Sequence, residues 1–347
     1  MNMNWEVFRR WVKILTIIDA SVYIHQGSSG SWSSRAQYKG IPTGGIYSLL
    51  VEVSKHIKTK KPFIIAFDSR PAKRLIRPEY KANRVTNPKV EFQKNLAYTY
   101  LSKLSENVHK IEGREADDLI AKSVKDNLAN TDFNINIRTS DYDLTHNIDE
   151  HGRVVIMPAN KNIAIVTKDN FEHIFSMAKC RAYFNSRAAM KVFFGKQSDN
   201  LPVFTHHKYE AYELYKSFCG VGVNKGWSPE DFKLKENMLE YIEMVSSAMT
   251  ESELKDLKER VDVSYPTDVN RDLTYKFGAI NTDVLSELIS VTGCRSIARG
   301  LKIPYYEDMG NKHDELKQAY MDGHILSKSR YFEPSTVTTD LTNERGF

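Results

Sequence analysis

Residues 13–19, KILTIID, and residues 62–68, PFIIAFD, decide the fold. Each is a short, nearly unbroken apolar run rich in β-branched and aromatic side chains, and each closes on an aspartate. Such runs are expected of strands buried on both faces, as in a parallel sheet. A third run at 133–139, FNINIRT, alternates apolar and polar residues and ends just before Ser140-Asp141-Tyr142-Asp143. Two further strand-like runs follow at 153–157 and 162–166. In open parallel sheets the ligand crevice lies beyond the carboxyl ends of the strands, so Asp19, Asp68, Asp141 and Asp143 are expected along one edge. Between the second and third strands, residues 115–120 read EADDLI, a helix start with acids in its first turn and apolar residues behind them. This adds Glu115, Asp117 and Asp118, of which Glu115 and Asp118, three apart, share a helix face.

Any one of these acids has a bland explanation, because aspartate caps helices and the helix dipole favours acids in a first turn. Together they demand compensation. Carboxylates gathered at one edge repel, and their pKa values rise unless cations neutralise them. An oxygen-rich set suits Mg²⁺ or Mn²⁺, and the histidines and cysteines show no zinc-binding spacing. A site for two Mg²⁺ ions, with Mn²⁺ able to substitute, is therefore expected, and with it nuclease chemistry.

Composition narrows the setting. Cys180, Cys219 and Cys294 are odd in number and widely spaced, which argues against a disulfide framework and for a reducing compartment. No apolar stretch approaches the roughly 20 residues that span a bilayer, so no membrane association is expected. A cytoplasmic location follows as the expectation, that of the host if the gene is a phage's. The net charge of +5 conceals a basic segment at 70–110, with ten Lys or Arg against three Glu. Tyr80, Phe92, Tyr98 and Tyr100 are interleaved with those charges. Beside an acidic site this implies a polyanionic substrate, with phosphates held by Arg70, Lys73, Arg74, Arg77, Lys89 and Lys94 and bases stacked on the aromatics.

Residues 27–45, GSSGSWSSRAQYKGIPTGG, are too rich in Gly and Ser for regular structure and read as a surface loop carrying Arg35. Thr43 and Gly44 then open a helical pattern whose first backbone N–H groups could hold a phosphate. Beyond about residue 170 helical patterns dominate. The expected plan is a leader at 1–12, a sheet domain at 13–180, a helical region at 181–325 and a flexible tail at 326–347. The fold class is α/β, a mostly parallel central sheet flanked by helices.

Seven motifs in this order, IDAS (18–21), PTGGIYSLL (42–50), AFDSR (66–70), RPEYKANR (77–84), EGREADDLIA (112–121), TSDYDL (139–144) and FGKQSDNLP (194–202), resemble the 5′ nuclease family. Its phage members, including the ribonuclease H type, are nearest, since residues 249–269 resemble the helical tail of such an enzyme. The resemblance implies a PIN-like fold with a basic helical arch at about 70–110 and a helical DNA-binding region after residue 181. It further implies that Asp19, Asp68, Glu115, Asp118 and Asp141 surround one metal, with Asp117 beside it, and that Asp143 and Asp199 support a second. Lys81 and Arg84 would reach the scissile phosphate, and Tyr80 would stack on a terminal base. The implied activity is metal-dependent 5′-3′ exonuclease or flap endonuclease hydrolysis of DNA or RNA–DNA hybrids, in primer or flap removal during replication.

Two departures bear on this. Family members commonly carry an additional aspartate where this chain has Lys196, which puts a cation at the second metal site. No glycine hairpin follows Asn200 directly, although Gly220, Gly222 and Lys225 could form a displaced phosphate-binding one. The competing expectation is a non-catalytic module that binds branched DNA. The expected partners are 5′ flaps or forked duplex, RNA–DNA hybrids, and a sliding clamp or single-strand binding protein docking on Tyr331, Phe332 or Phe347. A monomer is expected.

Overall fold

The structure, a computed structural model, describes residues 13–29, 36–85, 87–149, 151–159, 164–170, 200, 250–264 and 269–329. Its centre is a five-stranded sheet in the order β5-β4-β1-β6-β7, from β1 (Ile14–Asp19), β4 (Phe63–Ala66), β5 (Val108–His109), β6 (Asn134–Arg138) and β7 (Val154–Met157). All four pairings are parallel, with Asp19 opposite Ala66 and Ile18 opposite Arg138. The apolar runs of β1 and β4 are buried almost throughout, while β6 alternates buried and half-buried residues, as its sequence does. From β1 the chain builds outward through β4 to β5, then returns to add β6 and β7 on the other side. β1 therefore lies at the switch point where a crevice opens beyond the strand ends.

Helices cover both faces. α1 (Ala20–Ser29) follows β1 directly, and α2 (Gly44–Thr59) precedes β4. The turn-like α3 (Lys73–Ile76) and the longer α4 (Pro88–Leu101) lie between β4 and β5, and α5 (Ala116–Asn130) leads into β6. A short 3₁₀ helix, Tyr142–Asn147, follows β6. Later come α6 (Glu251–Ser264), α7 (Thr282–Val291), α8 (Arg295–Leu301) and α9 (Lys312–Ser329). No helix among the described residues is long and apolar enough to cross a membrane.

Residues 27–45 hold more order than their composition suggests. α1 runs through Gly27 to Ser29, and a two-stranded hairpin pairs β2 (Gln37–Tyr38) with β3 (Ile41–Pro42). The glycines serve helix packing. A Cβ on Gly27 would stand 2.4 Å from the Gly44 carbonyl oxygen, and one on Gly45 would stand 2.6 Å from that of Ile24. Only glycine lets the two backbones approach so closely.

The segment expected to form an arch divides in two. α4 belongs to the core, where Val90, Leu96, Ala97 and Leu101 are buried with residues of α1, α2 and β4. Leu285, Leu288 and Ile289 of α7 and Ile297 of α8 enter the same core. The chain reaches α7 through an extended stretch whose amides bond to buried polar side chains. Asp126 accepts from Leu273 at 2.8 Å, Asn127 from Tyr275 at 2.9 Å and Asn107 from Lys276 at 2.8 Å.

Candidate metal centre and nucleic-acid interface

The strand ends deliver carboxylates as their sequence implies. Asp19 closes β1 and is almost fully buried, accepting hydrogen bonds from the Thr139 hydroxyl at 2.9 Å and the Val22 N–H at 3.3 Å. The same Thr139 hydroxyl accepts from the Asp141 N–H at 3.0 Å, so one side chain after β6 ties two aspartates together. Burial, with Asp68 and Asp141 nearby, pushes the Asp19 carboxyl up to about 7, although Thr139 and Val22 work against this. Asp117, in the first turn of α5, is raised for the same reasons, by burial and by Asp141, Asp19 and Asp68, against a lowering from Lys81.

Asp68 follows β4 and accepts the N–H of Ala116 at 2.8 Å, which joins it to the start of α5. Burial disfavours its charge, but Lys94, the Ser21 hydroxyl, the Ala116 N–H and Lys81 outweigh that and hold its pKa below the usual value. Lys94 Nζ lies 3.5 Å from the Asp68 carboxylate. The sequence reading gives Lys94 as a phosphate contact in the basic segment. It lies instead on core helix α4, close to the carboxylates.

The start of α5 is compensated from within. Asp118 accepts the Glu115 N–H at 3.0 Å, the return bond of a capping box. Lys73 Nζ sits 3.3 Å from Glu115 and 3.2 Å from Asp118, both buried. Lys81 pairs with the other Glu115 oxygen, and Tyr80 donates its hydroxyl to Glu115 at 3.0 Å. Burial opposes the charge of Glu115, but Lys81 and Lys73 prevail and lower its pKa. Burial likewise opposes that of Lys73, and Asp118, Glu115 and Asp117 raise it. Lys81 has a left-handed backbone, φ 55°, which turns its side chain inward beneath the Tyr80 ring at 5.0 Å.

Several expected nucleic-acid contacts are placed elsewhere. Tyr80 is only 2 % exposed and its hydroxyl is engaged, so no face is open for a base. Lys73 is buried against carboxylates. Arg77 is buried between Glu79 at 2.8 Å and Asp256 of α6 at 2.9 Å, and so anchors α6. Arg74 donates to the Lys81 carbonyl at 2.8 Å. Thr43 and Gly44 are buried, and the N–H groups of Gly45 and Ile46 bond to Gln93 at 2.7 and 3.3 Å. A buried glutamine on α4 thus engages the Gly45 and Ile46 N–H groups that the sequence offered to a phosphate. Arg70, Arg84 and, despite its bond to the Lys81 carbonyl, Arg74 line an open groove with Lys81, and Lys89 lies half-exposed on the first turn of α4. Gln93 has no signature in the sequence. Thr139 stood within a quoted motif, but its role shows only when β1 and β6 are neighbours.

The Asp143 side chain, Arg35, Lys196, Asp199, Gly220, Gly222, Lys225, Tyr331, Phe332 and Phe347 lie outside the described residues. Asn200 donates to the Glu79 carbonyl at 2.9 Å, which brings the end of the SDN motif against the RPEYKANR segment.

Among the described residues no three carboxylate, imidazole or thiol side chains are arranged as a finished metal site. The donor chemistry nonetheless fits a hard divalent cation. Asp19, Asp68, Asp117 and Asp141 offer oxygen alone, and the raised pKa values of Asp19 and Asp117 record a surplus of negative charge at that edge.

Residues 14–176 match the family model of the 5′-3′ exonuclease N-terminal, resolvase-like domain. The fold is similar to that of the phage T5 D15 protein co-crystallised with metal ions, with a TM-score of 0.52 and 12% identity over 90% of this chain and 99% of that one. It is also similar to human GEN1 in complex with Holliday junction DNA, with a TM-score of 0.50 and 9% identity over 96% of this chain and 80% of that one. No curated protein sequence matches the chain.

Proposed function

We propose, on the match of residues 14–176 to the 5′-3′ exonuclease N-terminal, resolvase-like family model, that the chain is a Mg²⁺-dependent structure-specific 5′ nuclease that hydrolyses phosphodiester bonds in branched or tailed DNA and in RNA–DNA hybrids. The observation that carries this reading is the juxtaposition, at one sheet edge, of surplus aspartates with a lysine pair at the mouth of a basic groove.

Asp19, Asp68, Asp117 and Asp141 would hold the first cation, with Glu115 and Asp118 next to them. Asp143 and Asp199 are the further ligands proposed for a second. When bound, such cations supply charge neutralisation at the phosphate oxygens and activation of water. The chain's own residues do the rest. Lys81 is held by Glu115 in this state, and a scissile phosphate entering the groove offers its ammonium a second anionic partner. Its charge would then offset that which develops on the phosphorus oxygens as the bond to the leaving oxygen breaks. Arg84, at the groove mouth, would orient the neighbouring phosphate. Thr139 keeps Asp19 and Asp141 in register, and the Ala116 N–H does the same for Asp68. Removal of primers or flaps during replication, with Mn²⁺ able to replace Mg²⁺, is the setting that fits this chemistry.

A denaturing gel tests the reading. A 5′-tailed duplex, labelled at either end, is incubated with Mg²⁺ or with EDTA, and a matched substrate carries ribonucleotides in the tailed strand. Mg²⁺-dependent shortening from the 5′ end or release of the tail is expected, and product length separates exonucleolytic from endonucleolytic cutting. Tight binding of the branched duplex without Mg²⁺- or Mn²⁺-dependent cleavage would instead favour the non-catalytic binding module.

A further inference from the structure

One groove among the described residues is lined both by the carboxylates and by residues of α9. Its volume is about 1200 Å³, above the ~300–1,000 Å³ of small-molecule sites, which suits part of a polymer. Asp68, Glu115 and Lys81 stand at one end, and Lys312, Tyr320 and Gly323 of α9 stand at the other.

α4 forms the floor, and its sequence carries two faces at helical spacing. Val90, Gln93, Ala97 and Leu101 point into the core, whereas Glu91, Asn95 and Thr99, with Lys103 just past the helix end, line the groove. Eight Lys or Arg and five Asp or Glu line the whole, so the groove is net positive although it includes the site's own carboxylates. Two of the other acids have cations at hand, Glu91 with Lys94 at 3.6 Å and Glu287 with Lys312 at 3.2 Å. Phe92 and Tyr320 meet at 5.0 Å between ring centroids, both half-buried, and so present aromatic surface along a basic path. Basic charge that tracks a backbone, with aromatics for bases to stack on, is the chemistry that holds single-stranded nucleic acid without regard to sequence.

We propose that this groove receives the unpaired strand of the substrate and that α9 forms its far wall, with Tyr320 as a stacking platform and Lys312 as a phosphate contact. The inference rests on the nuclease reading for its substrate class but concerns binding, and binding can be read without turnover.

The test measures affinity by fluorescence anisotropy in EDTA, using duplexes with 5′ tails of zero, four and ten nucleotides. The variants are Tyr320→Ala, Lys312→Glu and Gly323→Leu. A Cβ on Gly323 would meet nothing within 4 Å, so a leucine there projects into open space and narrows the groove, and removing a helical glycine favours the helix. Thermal unfolding confirms that each variant folds. The wild type is expected to favour the ten-nucleotide tail over none, and each variant to lose about fivefold or more of that preference. A 5-iododeoxyuridine in the tail is expected to cross-link to Tyr320. Folded variants that all keep the wild-type preference, with no cross-link to α9, would overturn the proposal. Were the wild type to bind tails through α9 but never cleave, the nuclease reading would fall while the groove assignment stood. Cleavage by a wild type indifferent to tail length would do the reverse.

Discussion

The two halves of the carboxylate cluster solve the same electrostatic problem in opposite ways. At the start of α5, Glu115 and Asp118 are buried with protein cations, Lys73 and Lys81, and Glu115 is held below its ordinary pKa. At the strand ends, Asp19 is raised to about 7, and Asp117, in the first turn of α5, is also raised, by burial first and then by Asp141, Asp19 and Asp68. The first half is complete as folded. The second carries at Asp19 and Asp117 a charge surplus that an added cation or a proton would relieve, while Asp68 beside them is offset by Lys94. Sequence type does not distinguish the halves, since all are Asp or Glu, and the difference lies in which lysines the backbone turns inward.

The largest effect expected from this contrast is on turnover. Asp68→Ala or Asp141→Ala should reduce Mg²⁺-dependent cleavage to background while the protein still binds branched DNA, because these groups serve chemistry more than grip. In the same half, Asp19→Asn should raise the midpoint of unfolding in EDTA by removing one of the repelling charges. Wild-type turnover in either alanine variant would move the chemistry away from the strand ends.

Lys81 links the halves, so its loss should be felt in both. Lys81→Ala is expected to lower the single-turnover rate by roughly 10² with a smaller change in substrate affinity, as for a group that acts on the transition state. Weaker binding with an unchanged rate would make it a phosphate anchor only.

Lys73 makes its ion pairs in the compensated half, with Glu115 and Asp118, and its effect should appear in stability. Removing one partner of a buried ion pair costs ~3–5 kcal/mol, so Lys73→Met should lower the unfolding midpoint in EDTA, with Lys73→Arg restoring most of it. Divalent cation should then stabilise the Met variant more than it stabilises the wild type, because the metal takes over a compensation the lysine had provided. An equal gain in both proteins would show that Lys73 and metal do not serve the same carboxylates.

These assignments show how far the sequence could be read. β1 and β4 were legible as apolar runs ending on acids, and β6 and β7 as short runs rich in β-branched residues, whereas β5 escaped because a two-residue strand has no period. The acids announced themselves by position. Their counter-cations did not, since the basic segment looked like a single binding surface. Lys73, Arg77 and Tyr80 differ from Arg70 and Arg84 only in the directions that α3 and the left-handed Lys81 give them, and no spacing rule records that. Gly44 and Gly45 misled in a similar way, because a glycine pair at a helix start permits either a phosphate or a second helix. Here α1 and Gln93 occupy the space.

The smallest effect concerns the acid range, where the two halves would otherwise be hard to tell apart. His109 on β5 is 5 % exposed, and neither ring nitrogen has a hydrogen-bond partner within the protein. Burial, with Arg271 and Lys276 acting the same way, lowers its pKa from the usual 6.5 to about 4. Between those values the unfolded chain binds a proton that the native state refuses, so stability is intact above 6.5 and falls as the pH drops toward 4, by at most about 3 kcal/mol. Glu115 and Asp68 act lower down. Their pKa values lie below the ordinary 4.5 and 3.8, so the stability they contribute is lost only as the pH falls through that lower range. Over the same range Asp19, raised to about 7, takes up a proton in the native state and gains stability as the pH falls, which opposes His109. Denaturant melts of His109→Gln in EDTA should therefore show stability rising from pH 6.5 to 4.5 relative to the wild type, with the steep fall below retained. If stability still falls over that range without His109, the aspartates of the strand ends bind their protons differently from what their surroundings imply, and the contrast between the two halves has to be redrawn.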